Sequence, residues 1–327
     1  MPKKFTRWLS SRFALFRAVD VVLVPIVAVT APILALFRWI GAKRLPISSK
    51  VLKAIGVFPI RNHYYEPRFV YDDLRKPLDD ERDLPGIDLD LEAQVALLAS
   101  LDCRSELIDL DLRNRGNSTG FVFGNIAYES GDAEIWYSML RTVKPRRVLE
   151  VGSGHSSLLA HAALRRNRVE TGADIRHTLI EPFENPWLES LENTSVVRER
   201  AEDVSLDLFR ELASGDVLFI DSSHMIRPQG DVLRLYLEVL PQLQAGVIVH
   251  IHDIFTPRDY LSTWLTESVL FWNEQYLLEA LLSNSSRYEI LLALNFLKHN
   301  AYARLAEVCP YMTPEREPGS LYLRIRR

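Results

Sequence analysis

The sequence predicts a doubly wound α/β domain that follows a basic, apolar N-terminal leader. From residue 147 onward, short continuous apolar runs alternate with helical stretches, which is typical of a parallel sheet covered by helices on both faces. The runs end in glycine, acidic residues or histidine, and the ligands of such sheets bind at the carboxyl ends of the strands. The 327 residues, 47% of them hydrophobic, suffice for one large domain and an appendage.

Charge is divided unevenly along the chain. Residues 1–61 contain eleven Lys and Arg residues but one acid, Asp20, whereas residues 62–327 carry a net charge of −14 within a total of −4. The basic leader favours contact with an anionic membrane surface, and the acidic body argues against nucleic-acid binding. Cys103 and Cys309 form no C-x-x-C motif, so neither a disulfide scaffold nor a structural zinc module is expected.

The leader contains an uncharged apolar run over residues 21–37. As a straight helix it would reach about 25 Å, a little short of a hydrocarbon core of about 30 Å. Pro25 and Pro32 favour a kinked or re-entrant segment. A single span with a cytoplasmic body would also put the basic residues of 3–17 outside, against the positive-inside rule. We therefore expect attachment to the inner face of a membrane, rather than a span, a cleaved signal peptide or a buried core helix.

Three segments are predicted: the leader to residue 61, a linker and helical lead-in over 62–119, and the α/β domain over 120–327. Helices are predicted over 91–101, 133–143 with Asp132 as the cap, 156–167, 231–243 and 268–282. Strands are predicted over 147–151, 177–180, 195–198, 216–220, 247–251, 288–294 and 321–325.

Glycine and acidic residues follow the first three strands. Gly152 and Gly154 permit a tight turn and a close approach of the backbone to a ligand, with free N–H groups on the next helix. Glu181 ends the second strand, where a carboxylate can accept both hydroxyls of a ribose. Glu202 or Asp203, after the third strand, either accepts a hydrogen bond from an adenine amino group or belongs to a solvated acidic turn. Together these residues indicate a nucleotide-type site.

Acidic residues and histidines follow the fourth and fifth strands. Asp221 and Asp253 come after neighbouring strands, so they are expected to converge on one hard cation, with His224 nearby as a base. Alternatively they are helix caps or loop acids. Alternation along the strand makes His250 a core residue. His252 joins the metal only if the strand ends before it, and an imidazole ligand would shift the preference from magnesium toward manganese, iron or zinc.

Four motifs together resemble the class I S-adenosylmethionine (SAM)-dependent methyltransferases, and within them the metal-dependent O-methyltransferases of small molecules and sugars. They are VLEVGSGHSS after residue 147, IEP at 180–182, FIDSSH with its D-x-x-H, and HIHDIF on the fifth strand. The resemblance covers about residues 120–327.

This resemblance implies a role for each motif residue. It implies that Glu150, Gly152, Ser153 and Gly154 hold the methionine part of SAM, that Glu181 holds its ribose, that Asp221 and Asp253 bind magnesium, and that His224 is the general base. Asp203 is the candidate for adenine. Ser156 stands where the family has its third glycine, and Ile254 follows Asp253 where related enzymes have asparagine, which leaves the third metal ligand open.

The predicted function is therefore SAM-dependent O-methylation of a sugar, glycan or glycolipid-linked hydroxyl, because a cation suits an acceptor with two neighbouring hydroxyls. The aromatic stretch over 255–275, with Tyr260, Trp264, Phe271 and Trp272, forms either an acceptor wall or ordinary helix packing. Two alternatives remain: a metal-dependent hydrolase built on His250, His252, Asp253 and Asp221, and a non-catalytic membrane adaptor with the same fold.

Overall fold

The computed structural model describes residues 3–60, 67, 74–125, 127–183 and 185–327, with side chains from residue 15 onward. Much of the predicted linker, residues 61–66 and 68–73, therefore lies outside the described residues, as do the side chains of the first basic residues. The chain divides into two compact units, Met1–Arg75 and Lys76–Arg327.

The N-terminal unit consists of two α-helices. They are α1 (Lys3–Ile40) and α2 (Pro46–Ile55), joined by a 3₁₀ turn over Ala42–Arg44. Of the two alternatives predicted for residues 21–37, a kinked or a re-entrant segment, the re-entrant one is wrong, because α1 continues through Pro25 and Pro32. Each proline removes one backbone donor, and the apolar residues around it still form the remaining helical hydrogen bonds. Leu15–Ile40 is long and apolar enough to cross a membrane by length and composition, criteria that an N-terminal signal sequence also meets.

The second unit alternates helices and strands. Its helices are α3 (Leu91–Ser100), α4 (Arg104–Asp109), α5 (Asp132–Val143), α6 (His155–Thr171), α7 (Leu206–Arg210), α8 (Asp231–Arg234), α9 (Ser262–Thr266), α10 (Glu274–Leu282), α11 (Leu294–Asn300) and α12 (Tyr302–Val308). Its strands are β1 (Arg147–Val151), β2 (Arg176–Ile180), β3 (Thr194–Val197), β4 (Val217–Ile220), β5 (Ile248–Ile251), β6 (Tyr288–Ala293) and β7 (Leu321–Ile325).

The strands form one seven-stranded sheet in the order β3-β2-β1-β4-β5-β7-β6. The first five strands are parallel, and β7 runs antiparallel to both β5 and β6. The doubly wound α/β prediction is confirmed, with an antiparallel strand added to the parallel sheet. The order reverses between β1 and β4, the point where such sheets bind their ligands.

Side chains alternate along the central strands between two hydrophobic cores. On β4, Phe219 belongs to the core that contains Trp136 of α5, whereas Leu218 belongs to the core that contains Tyr236. Each side chain named here is at most 1% exposed. Both faces of the sheet are therefore covered, which explains why these strands are apolar without interruption.

Two predicted helices differ from those observed. The helix predicted over 231–243 is α8 followed by a π-helical turn over Leu235–Val239 and a 3₁₀ turn over Leu240–Gln242. The helix predicted over 268–282 begins only at Glu274, because residues 268–273 form a connection in which the backbone N–H groups of Asn273 and Glu274 bond to the carbonyl of His224. A tertiary contact thus overrides a local helical pattern.

Candidate functional site

The polar residues after four parallel strands lie in one row across the sheet. The backbone ladder continues one residue beyond the strands: Gly152 N–H donates to Ile180 O (3.0 Å), Asp221 N–H to Val151 O (2.8 Å) and His252 N–H to Ile220 O (2.9 Å). Likewise, Glu181 N–H donates to Val197 O (3.1 Å). The residues 181, 152, 221 and 252 are therefore brought together by strand register alone.

Gly152 has a backbone conformation that other residues rarely adopt. Its φ is +78°, and a Cβ added to it would lie 1.7 Å from the carbonyl oxygen of Asp221. Glycine thus lets the turn after β1 lie directly against the end of β4. Gly154 differs, because its extended backbone leaves a Cβ in ordinary contact, 3.4 Å from Nδ2 of Asn185.

Glu150 is fully buried beneath this turn. Its Oε2 accepts hydrogen bonds from the hydroxyls of Ser157 (2.8 Å) and Ser156 (3.3 Å), and its Oε1 lies 2.5 Å from Nε2 of His177. The side chain is 0% exposed. The expectation that it touches a cofactor is therefore corrected: the carboxylate connects β1, β2 and the start of α6, and its role is to hold the turn.

A cavity of about 740 Å³, here named the glycine cavity, opens above this turn. It is lined by Gly152, Glu181, Phe183, Glu202, Asp221 and Asp231, among others. Oε2 of Glu181 accepts the backbone N–H of Ser153 (3.3 Å) and Oε1 that of Phe183 (3.0 Å), which fixes its carboxylate at the rim. Of the two acids predicted after β3, Glu202 lines the cavity, whereas Asp203 is exposed outside the lining.

A second cavity of about 690 Å³, here named the tryptophan cavity, lies beside His252 and Asp253. Its wall includes Phe255, Tyr260 and Trp264. The rings of Phe255 and Trp264 meet edge to face with centroids 5.3 Å apart. The aromatic stretch after β5 therefore both packs and lines a cavity.

Asp221, His252 and Asp253 form a cluster that reaches both cavities. Asp221 lines the glycine cavity, and the other two line the tryptophan cavity. One ligand atom from each lies within 4.8 Å of the others, about the span of two ligands on opposite sides of one cation. Nδ1 of His252 is 3.5 Å from Asp221 Oδ1 and 3.6 Å from Asp253 Oδ1, and it has no hydrogen-bond partner among the described residues.

The position of His252 follows from the end of β5. The strand stops at Ile251, and Asp253 has a φ of +58°, so the alternation of side chains ends there and both residues face the cluster. His250, two residues earlier, is 0% exposed, stacks on Tyr322 at 4.1 Å and lies 2.8 Å from the Ser320 hydroxyl. The hydrolase alternative needed an exposed His250 and is not supported.

His224 approaches the cluster from the other side. Its Nε2 lies 3.3 Å from Asp221 Oδ1 and 3.5 Å from Asp253 Oδ2, while its Nδ1 lies 2.7 Å from Oε2 of Glu274. The ring packs on Trp272, with centroids 4.2 Å apart. The 2.7 Å contact with a carboxylate oxygen favours the proton on Nδ1, and Nε2 is the nitrogen directed at the cluster.

The charges of the cluster act on one another strongly. Burial lowers the pKa of His224, but hydrogen bonds to Asp221 and Glu274 outweigh it and raise this pKa to about 10. Burial raises the pKa of Asp253 to about 6 against the opposing pull of the histidines. The imidazolium is thus stabilised by the carboxylates, and a divalent cation that neutralised them would lower the pKa of His224.

Two residues of the site, Glu274 and Asp132, are not predicted as site residues from the sequence. Glu274 is 0% exposed and begins α10, fifty positions after His224. Asp132, predicted as a helix cap, instead accepts the backbone N–H of Gly319 (3.0 Å) and lies 3.9 Å from Nε2 of His252. A carboxylate behind each histidine is common around metal ligands, but only the folded chain brings these pairs together.

Comparison with known proteins agrees with this geometry. Residues 149–254 match the family model of a methyltransferase domain. An uncharacterized protein of Archaeoglobus fulgidus is 27% identical over 137 residues, 40% of this chain and 61% of that protein. The chain thus spans about three fifths of the length of this relative.

Similar solved structures are distant. An O-methyltransferase from Bacillus cereus in complex with SAH is 11% identical with a TM-score of 0.39, covering 71% of this chain and 91% of its own. The TDP-rhamnose 3'-O-methyltransferase CalS11 of calicheamicin biosynthesis is 13% identical (TM-score 0.39; 74% and 99%). A CmcI structure described with Mg and SAM is 16% identical (TM-score 0.38; 85% and 95%).

The sheet order, the glycine turn and the family match point to one kind of domain. Residues 149–254 match a methyltransferase domain, and the strand order agrees with the methyltransferase fold that the motifs predict.

Proposed function

We propose that this protein is a SAM-dependent O-methyltransferase that uses a divalent cation. The observation that carries the proposal is the shared cluster: Asp221 faces the glycine cavity, whereas His252 and Asp253 face the tryptophan cavity. Transfer of a group needs two ligands that meet at one point. Two cavities of ligand size that share a group of charged residues supply that arrangement.

The glycine cavity suits SAM. Gly152 brings the backbone of the turn close to the ligand, and the fixed carboxylate of Glu181 can accept the two ribose hydroxyls. Glu202 takes the place of Asp203 as the candidate for adenine. The carboxylates along this cavity also complement a cationic sulfonium. When bound, SAM supplies an electrophilic methyl group.

The cluster suits a cation with mixed ligands. Asp221 and Asp253 offer carboxylate oxygens, and His252 offers a buried nitrogen without another partner in the described part of the chain. When bound, the cation lowers the pKa of an acceptor hydroxyl and orients it. Because one ligand is an imidazole, we propose Mn²⁺ or a similar transition metal ahead of the Mg²⁺ expected from the resemblance.

His224 is the proposed general base. Glu274 fixes its tautomer and its ring, so Nε2 points to the cluster and, in the neutral imidazole, would take the proton that the acceptor hydroxyl loses on methylation. The tryptophan cavity then holds the acceptor. The partly exposed Trp264 offers a flat apolar face for a sugar ring, and the surrounding polar groups can bind its hydroxyls.

The proposed acceptor is a hydroxyl of a sugar, glycan or glycolipid-linked sugar at the inner face of a membrane. The support for a membrane location is α1, whose segment Leu15–Ile40 is long and apolar enough to span. Membrane attachment would keep the enzyme close to acceptors made on lipid carriers. A cytoplasmic body would have access to SAM.

A transfer assay tests the proposal. The full chain in detergent is incubated with SAM carrying a labelled methyl group and a cell-envelope glycolipid extract. We expect label in a glycan product, its loss with EDTA, and its recovery with Mn²⁺. SAM binding without transfer to any glycan would instead support a non-catalytic adaptor, and transfer that EDTA leaves unchanged would refute the role of the cation.

A further inference from the structure

Helix α2 exposes a stripe of large apolar side chains. Ile47, Val51 and Ile55 are spaced four residues apart, which places them on one face of the helix. They are 79%, 53% and 68% exposed within the described residues. A contiguous apolar stripe that no described side chain covers marks an interaction surface rather than a stable water-exposed surface.

The exposed surface of α2 beside and behind the stripe, here named the basic face, carries lysines. Lys53 lies behind the stripe and Lys50 lies beside it, three residues after Ile47, while Lys43 and Arg44 occupy the 3₁₀ turn just before the helix. Residues 41–60 contain no acidic residue. A short helix with an apolar face, a lysine face and no negative charge fits the boundary between acyl chains and anionic head groups.

The chain fixes α2 at the end of α1. Gly41 turns the backbone with a φ of +97° while its N–H still donates to Phe37 O (3.0 Å). The hydroxyl of Ser49 donates to Ala42 O (2.9 Å), and Phe58, after α2, packs edge to face on Phe37 at 6.1 Å. The amphipathic helix is therefore held at the terminus of the candidate span.

An apolar groove of about 370 Å³ lies between the two helices. It is lined by Ile33, Phe37, Leu45, Val51 and Leu52, among others. Its walls come from both helices and are almost entirely hydrocarbon, so its shape and chemistry match an acyl chain rather than a polar ligand.

We propose that α2 is an interfacial helix that lies in the surface of an anionic leaflet. Its apolar stripe and the groove receive acyl chains, and the four basic side chains contact lipid phosphates. The inference rests on the proposed membrane attachment and deepens it. It assigns the lipid-facing surface to a second helix, whose burial in the leaflet would hold the end of α1 at the level of the head groups.

Site-specific labelling tests the inference. An environment-sensitive fluorophore is placed on single cysteines, Ile55→Cys on the stripe and Lys53→Cys as the matched control on the basic face. Cys103 and Cys309 are buried, so the full chain offers little background. In vesicles of phosphatidylcholine and phosphatidylglycerol we expect a blue shift and at least about fivefold lower quenching by aqueous iodide at position 55 relative to 53.

A label at Val27→Cys in α1 separates two kinds of failure. If iodide quenches the label at position 27 weakly but quenches the labels at 55 and 53 equally, this inference is overturned and membrane attachment stays intact. If iodide quenches the label strongly at all three positions, the attachment itself is refuted. Protection at 55 that grows with protein density at fixed lipid composition means that a second copy covers the stripe, which also overturns the inference.

The basic face has its own test. The double variant Lys50→Gln, Lys53→Gln should reduce the protection at position 55 in vesicles with phosphatidylglycerol and leave it unchanged in pure phosphatidylcholine. Equal effects in both vesicle types would contradict a contact with anionic head groups.

Discussion

The glycine cavity and the tryptophan cavity share one edge of the sheet but are assembled differently. The glycine cavity is lined mainly by residues that directly follow β1 to β4, with further residues from the connection into α8. The tryptophan cavity combines segments far apart in the sequence, around residues 78, 129, 253–264, 295 and 315–319. Register within the sheet thus determines the first cavity, whereas the packing of long connections determines the second.

This difference separates the expected effects of substitution. A change at a strand end should alter cofactor binding and the stability of the sheet, and a change in the tryptophan cavity should alter acceptor binding alone. The cluster of Asp221, His252 and Asp253 belongs to both cavities, so a substitution there should affect transfer most.

The largest effect is expected from Asp253→Asn. The amide keeps the size of the side chain but removes a charged ligand, so methyl transfer should fall by about 1000-fold or more while the Kd for SAM changes by less than about threefold. Single-turnover transfer and SAM binding measure the two quantities. Asp259→Asn is the control, because Asp259 also lines the tryptophan cavity but bonds to Tyr276 (2.9 Å). Retained transfer in the Asp253 variant would remove it from the mechanism.

Gly152→Ala should weaken the glycine cavity next most strongly. The ideal position of the added Cβ is 1.7 Å from Asp221 O, so the turn would have to move away from β4. We therefore expect about 100-fold weaker SAM binding. Gly172→Ala is the control: its φ of +67° gives similar backbone strain, but nothing lies within 4 Å of the new Cβ. It should cost about 1 kcal/mol of unfolding free energy and leave SAM binding unchanged. Equal losses in the two variants would mean that strain alone, without the contact to Asp221, explains the effect.

Glu274→Ala should have an intermediate effect. Without the carboxylate, His224 loses the partner that orients it, and kcat should fall about 10- to 100-fold at unchanged SAM affinity. Glu274→Gln retains an acceptor oxygen and should recover part of the rate. Glu279→Gln, on the same helix but bonded to Thr256 (2.8 Å), is expected to lower thermal stability without lowering kcat. An unchanged kcat in Glu274→Ala would show that this contact serves folding only.

Trp264→Ala should have the smallest effect. Loss of one aromatic face is worth about 1 kcal/mol, so the KM for the acceptor should rise about three- to tenfold, with kcat and SAM binding nearly constant. Trp187, in the 3₁₀ turn Pro186–Ser190, lines neither cavity in the described structure and provides the matched Trp→Ala control. A change in SAM affinity instead of acceptor KM would reverse the proposed roles of the cavities.

The difference between strand register and long-range packing also explains which features could be predicted from the sequence. Strands β1 and β7 were predicted with the observed bounds, because each is an apolar run bounded by polar residues. Asp221 and Asp253 converge because each comes just after one of two adjacent parallel strands. The sequence shows where both strands end, so this convergence could be predicted.

The remaining features depend on contacts between distant residues. Whether His252 joins the cluster depends on the single residue at which β5 ends. Glu274 lies within hydrogen-bond distance of His224 only because the connection before α10 is not helical, and a periodic pattern cannot show that. The glutamate of VLEVGSG illustrates the converse: the motif is present, yet Glu150 is buried against His177 and two serines instead of facing a ligand.

The proposed function requires that the glycine cavity binds SAM and that the neighbouring cluster uses it. Isothermal titration of the full chain with SAM, in wild type and in Glu181→Ala, tests this most directly. We expect one site per chain in the wild type and at least about tenfold weaker binding in the variant, which loses the partner of the ribose. A well-folded wild-type protein that releases no heat and binds no SAM, or a variant that binds SAM as tightly as the wild type, would contradict it.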